Sequence, residues 1–372
     1  MSSRPIIYPL TALRFFFALA VFGHHCYFLS KEGDGWGRQF YNSVLSEGYI
    51  GVSFFFVLSG FILAYNYQER LLSKSVSWRG FYRARIARIY PLHIITLLIV
   101  LPITSGGLSA LVTGEGAATF LAHLTLTQSY WFITPVYTAY NSPSWSISTE
   151  LFFYLAFPVL TIGVAKLVRR YGRHAFWVFG LALIVPLAIP LVPADWRHAV
   201  FYVHPLARIA DFFLGILLFN VFSIIPVSAL PAKNSFTLLE VGSIGLLALF
   251  VGSSGGVPGV YRYSVYYWVP MILLIGVFAY QRGMLSGWLR HPVWQLLGEI
   301  SFAFYMVHRP VMWYYKGIKE KLFPFNHLYV DVAAMLILTL MASYVLYRYF
   351  ERPVGRWVRG ARSTTANSAG RK

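Results

Sequence analysis

Charge is what this 372-residue chain has least of: Asp, Glu, Lys and Arg together make up 12% of it. That is about half the usual share of a soluble domain. A soluble protein of this size needs polar side chains over most of its outer surface, and there are too few here. An ordinary soluble enzyme, a disordered chain and a coiled coil are therefore excluded. Acidic residues are the scarcest, 13 against 31 basic ones, for a net charge of +18. In a soluble protein that excess would suggest nucleic acid. Loops on the cytoplasmic side of a membrane collect Lys and Arg for a different reason, so no nucleic-acid partner is expected. Cysteine occurs once, at Cys26, which excludes an intramolecular disulfide and any Cys-rich metal site. The histidines show no ligand-like spacing, and no metal is expected. No internal repeat is visible, so the inverted-repeat signature of many transporters is missing.

What the chain has instead is apolar length, 57% hydrophobic and 18% aromatic. A bilayer span takes roughly 20 mostly apolar residues. Ten such stretches run at about 7–29, 47–67, 87–104, 146–165, 175–193, 205–225, 237–253, 264–281, 296–315 and 328–349. Two-residue alternation is absent and the runs are too long for barrel strands. The expected fold class is an all-α polytopic membrane protein of about ten transmembrane helices. The weakly apolar piece from Ala117 to Phe132 is too short to span and reads as re-entrant or interfacial, packed against protein.

Ten spans put both termini on one side. With that side cytoplasmic, most basic residues fall inside: those from Arg70 to Arg88, from Lys166 to Arg173, and from Arg348 onward. The bias supports this orientation, with 316–321 as the one discordant basic loop. No cleavable signal peptide is expected, because the first apolar stretch is interrupted by Arg14 and lacks a clear small-residue cleavage site. One membrane domain over 1–359 and a polar, disordered tail over 360–372 are expected.

Ionisable groups inside hydrocarbon are costly and mark function. The first span carries Arg14 and His25. Eleven residues make about three helical turns, so the two share a face roughly 16 Å apart along the axis. His24 points about 100° away. Snorkelling of Arg14 and simple packing of His25 is the competing explanation. Arg85 and Arg88, with Arg83 nearby, are neighbours on one helical face. They suit either a positive-inside anchor or a phosphate clamp, since the planar guanidinium donates paired hydrogen bonds. Glu150 lies about one turn into the fourth span, as a helix-start carboxylate or as the partner of a histidine or substrate hydroxyl. The ninth span carries His308 and Arg309. Arg208 and Asp211, three apart, read as a structural pair on their own helix. Trp145, Tyr305 and His308 are the candidate substrate-binding side chains. His93, His123, His174, His198, His204, His291 and His327 are assigned no role.

Collected together, these residues resemble the membrane-bound acyltransferase-3 family, whose members include O-acetyltransferases of O-antigen, exopolysaccharide, Nod factor, peptidoglycan and some macrolides. The resemblance runs from LTALRFFFALAVFGHH near the start to SFAFYMVHRPV near the end. Arg14 and His25 fit the family's Arg, ten residues, His pattern. GVSFFFVLSGF fits the second block, with Ser53 where many members have Asp. Arg85 and Arg88 fit its Arg-x-x-Arg motif, and SWSISTELFFYLAFP the fourth block. The resemblance implies transfer of an acyl group, most often acetyl, from cytoplasmic acyl-coenzyme A to a sugar hydroxyl of a cell-envelope or secreted glycan. It implies a bacterial inner-membrane enzyme with no permanently bound cofactor.

In that reaction His25 would be the general base, Glu150 could orient it, and Arg14 could stabilise the oxyanion or hold the pantetheine arm. Arg85 and Arg88 would grip the coenzyme phosphates. Arg14 and His25 are expected to share one polar cavity. Direct transfer and a transiently acylated His25 are both open. The rival reading is a transporter or flippase for a glycan or lipid-linked sugar, since intramembrane Arg and His also suit proton-coupled transport.

Overall fold

Apolar runs of this length can satisfy their backbone amides away from water only by helix formation or barrel closure. The computed structural model describes residues 4–104, 107–226, 231–322 and 327–355, and among these there is no strand. The expected tail, 360–372, lies outside the described residues. The principal helices are α1 (Tyr8–His25), α2 (Ile50–Leu72), α3 (Trp78–Val100), α4 (Trp145–Tyr171), α5 (Pro205–Ile224), α6 (Lys233–Gly252), α7 (Trp268–Ala279), α8 (Pro292–Leu322) and α9 (Leu328–Leu346). Their starts are chemically marked. The Ser77 hydroxyl accepts from the Gly80 amide at the head of α3. Pro205 opens α5, where its missing N–H costs nothing.

Seven continuous helical stretches among the described residues are long and apolar enough to cross a membrane: Gly35–Leu72, Trp78–Ile103, Ser142–Tyr171, His174–Leu191, Pro205–Ile224, Lys233–Gly252 and Leu328–Gly355. The remaining three of the ten expected stretches are helical but fall short by that measure. Arg14 and two histidines dilute α1, Val265–Ala279 is short, and α8 carries a charged end. The fifth stretch is largely 3₁₀ rather than α, from Gly172 to Leu183. The discordant basic loop, 316–321, is not a loop. Helix α8 continues through it to Leu322, where Lys316 pairs with Glu320 at 3.8 Å and Lys319 with Asp331 of α9. The piece from Ala117 onward forms the end of a short helix, Gly114–Leu124, and a turn. It buries His123, Leu126, Gln128 and Ser129 and is tied to α3 by His93 Nε2, 2.7 Å from the His123 carbonyl.

Helix α1 packs between α2 and α8. Phe17 stacks on Phe54 of α2 with centroids 3.7 Å apart, and Phe15 meets Phe304 of α8 edge-on at 5.7 Å. On the far side of α2, the backbones of α2 and α5 touch. A Cβ on Gly60 would stand 2.0 Å from the Phe212 carbonyl oxygen, and one on Gly215 would stand 2.0 Å from that of Val57. Small residues permit such contact between apolar helices, where no hydrophobic force pulls them together. The pair is stitched further on by reciprocal amide bonds between Gln68 and Asn220, at 3.0 and 3.1 Å. Thr161 of α4 donates to the same Gln68 oxygen at 2.9 Å. We expect Gly215→Val to cost about 1–3 kcal/mol, the usual penalty of overpacking, read as a lower unfolding temperature in detergent.

Candidate active site

Three cavities lie in a row along α1. The first, of about 620 Å³, is lined by Arg14, Arg70, Arg85, Arg88, Glu299 and Arg352, with Tyr67 and Tyr347. It shares Arg14, Arg85 and Arg88 with the second, of about 220 Å³, which adds Ser59, Ile62, Ser146, Glu150, Tyr154 and Tyr305. The third, of about 180 Å³, holds His24 and His25 among Tyr49, Tyr137, Trp145, His198, Tyr202 and Tyr305. The second and third meet at Val52 and Tyr305, which line both. The expectation of one cavity shared by Arg14 and His25 is therefore corrected: they line separate, adjoining ones. The physical reason is their three-turn spacing, which places them on one face but leaves room between them for a partition.

That partition is fastened. The hydroxyls of Tyr305 and Ser146 are 2.8 Å apart. Both also reach the Pro143 carbonyl, at 3.2 Å from Tyr305 and 2.9 Å from Ser146. Pro143 and Ser146 belong to the turn that starts α4, so this helix borders both cavities, presenting Trp145 to the third and Glu150 to the second.

Among the described residues Arg14 makes no direct hydrogen bond or ion pair, yet it lines two cavities that also hold the Glu150 and Glu299 carboxylates. A guanidinium whose donors are not taken up by hydrogen bonds is a site for anionic or carbonyl oxygen. Arg85 donates to the Tyr67 hydroxyl at 3.2 Å and lies over the Tyr67 and Tyr154 rings. Arg88 pairs with Glu351 and lies over Phe302. Both sit on α3, whose N-terminal half also carries Arg79 and Arg83, so helix geometry holds them side by side.

Glu150 does not orient His25. Its Oε1 accepts from the Ser59 hydroxyl at 3.0 Å and from the Tyr154 hydroxyl at 2.7 Å. It faces the arginine-lined side because the partition stands between it and the histidines. The Nδ1 of His25 instead lies 3.0 Å from the Val21 carbonyl and 2.9 Å from Nε2 of His308. His308 is 0% exposed and lines none of these cavities, so the structure does not bear out its assignment to substrate. Trp145 and Tyr305 do line cavity walls. His198, given no role from sequence, lines the third cavity, its Nδ1 3.1 Å from the Tyr137 hydroxyl. No spacing rule could have found it, since its partners lie far away in sequence.

Arg208 and Asp211 pair as expected, at 3.2 Å and fully buried. Sequence did not reveal their other partners. Arg208 also donates to the Ser53 hydroxyl at 2.7 Å and to the Tyr263 carbonyl at 2.6 Å, while Trp268 donates to Asp211 at 2.6 Å. Ser53 thus has a structural place, holding α2 to α5 behind Phe56 and Tyr202, over whose rings the guanidinium lies.

Comparison with known proteins gives this geometry a context. An acyltransferase domain family, acyltransferase-3, matches residues 7–348. The acyltransferase MdmB of Streptomyces mycarofaciens is 34% identical over 84% of this chain and 81% of its own. The peptidoglycan O-acetyltransferase OatA of Listeria monocytogenes is 23% identical over 95% of this chain, which spans 56% of that protein's length. No solved structure matches. The chain belongs to the acyltransferase-3 family of multi-pass membrane acyltransferases.

Proposed function

We propose that this enzyme moves an acyl group, most often acetyl, from cytoplasmic acyl-coenzyme A to a sugar hydroxyl of a cell-envelope or secreted glycan. It would lie in a bacterial inner membrane with ten spans and both termini cytoplasmic. The observation that carries this reading is the adjoining of an arginine-lined cavity and a histidine-lined one across Val52 and Tyr305. The donor's phosphates suit the mouth with Arg70, Arg85, Arg88 and Arg352. Its pantetheine arm is then directed inward past Arg14. The acceptor suits the third cavity, where Tyr49, Trp145 and Tyr202 offer flat apolar faces and the histidines offer polar edges. The peptidoglycan acceptor in OatA's name is one member of this glycan class.

In the reaction the acceptor oxygen attacks the thioester carbonyl and its proton passes to His25. The C–O bond forms, the C–S bond breaks, and the departing thiolate takes the proton back. Arg14 and His25 are separated by roughly 16 Å of helix, more than their side chains span together. Arg14 therefore serves the donor arm rather than the reacting carbonyl. The test uses membrane vesicles holding the enzyme, supplied with radiolabelled acetyl-coenzyme A and envelope glycan. Label covalently attached to glycan is expected. Movement of glycan across the membrane with no attached label would overturn the reading in favour of a transporter.

A further inference from the structure

The histidine pair carries information that neither ring holds alone. The Nδ1 of His308 is 2.6 Å from the Tyr305 carbonyl oxygen. A carbonyl only accepts, so Nδ1 carries the proton, and the Nε2 of the neutral ring keeps a lone pair. That Nε2 faces Nδ1 of His25 at 2.9 Å, and the second neighbour of the same Nδ1 is the Val21 carbonyl at 3.0 Å. Both neighbours accept, so His25 is protonated on Nδ1. Its Nε2 is left with the lone pair, on a half-buried ring that lines the acceptor-side cavity. The rings lie with centroids 4.9 Å apart, tilted by 42°.

We infer that His308 is a positioning residue for the transfer reaction: it locks His25 in the tautomer whose Nε2 is the base. This rests on the acyl-transfer reading above. When His25 takes the acceptor's proton, its Nδ1–H stays on His308 Nε2, and the hydrogen bond strengthens because its donor is now charged. The arrangement follows the logic of a nucleophile–base–orienter set, with a neutral imidazole as the orienting group. Neutrality is suited to this depth, since an unpaired carboxylate there would cost far more to bury. His24 lines the same cavity, but its Nδ1 is engaged by the Ser46 carbonyl at 2.8 Å, and its ring meets that of His25 edge-on rather than through a hydrogen bond.

The test compares His308→Phe, which fills the space without an acceptor, with His308→Gln, whose Oε1 falls near the position of Nε2. Both are assayed as the full-length protein in nanodiscs with acetyl-coenzyme A. The Phe variant is expected to lose about 10–100-fold in kcat with KM for the donor unchanged, a smaller loss than the ~10⁴-fold seen when an orienting carboxylate is neutralised. The Gln variant is expected to recover most of that loss. A Phe variant with wild-type kcat, or a folded Gln variant as slow as the Phe variant, would overturn the inference. Nitrogen-15 spectra of labelled histidine, assigned by single substitutions, read the tautomer without any turnover. Protonated Nδ1 on both rings is expected, and protonated Nε2 on neutral His25 would sink the idea. If wild-type protein transfers no acyl group, the functional reading fails, while the spectra still decide the tautomer.

Discussion

His25→Ala is expected to lower acyl transfer by about 10²–10⁴-fold, the range a positioned general base contributes, with donor affinity unchanged. His25 stands in the last turn of α1, its Nδ1 engaged from behind and its other edge toward the cavity of Tyr49, Trp145 and Tyr202. The side chain's hydrogen bonds run to its own helix and to one histidine, so its loss leaves the rest of the bundle intact. The control is His24→Ala, which alters the same cavity and leaves the pair alone; it is expected to be milder. The measurement is the transfer rate at saturating donor, with the unfolding temperature recorded in parallel. A rate within tenfold of wild type would remove His25 from the chemistry.

Arg85→Ala combined with Arg88→Ala is expected to weaken acyl-coenzyme A binding by about 10²–10⁴-fold. Each charged hydrogen bond to phosphate contributes about 1.5–3 kcal/mol, and 1.4 kcal/mol is about tenfold. The effect falls on KM more than on kcat, because the phosphates lie far from the reacting carbon. Arg88 complicates the reading, since its removal strands the Glu351 carboxylate, only 8% exposed. The double substitution is therefore repeated with Glu351→Gln, which removes the stranded charge. Titration of purified protein with acyl-coenzyme A checks the result. Unchanged affinity would leave these arginines as topology anchors.

The features legible in the sequence are those written within one helix. Eleven residues put Arg14 and His25 on one face, and three put Arg85 beside Arg88 and Arg208 beside Asp211. Apolar runs marked the helices, and the family blocks their order. What crosses between helices was not legible. His25 and His308 are 283 residues apart, Ser53 and Arg208 155, and no periodicity connects them. Glu150 was legible as a carboxylate in need of partners, but the identity of those partners depends on where α2 and α4 meet. The end of α8 was misread although a signal existed: Lys316 and Glu320, four apart, are spaced as a helical ion pair.

Tyr305 divides its duties between two parts of one residue. Its phenol bolts the wall between the chambers, while its peptide oxygen, held in the rail of α8, steers the buried imidazole behind the base. A substitution that removes only the phenol therefore loosens the wall and leaves the peptide oxygen, with the imidazole it aligns, where it is.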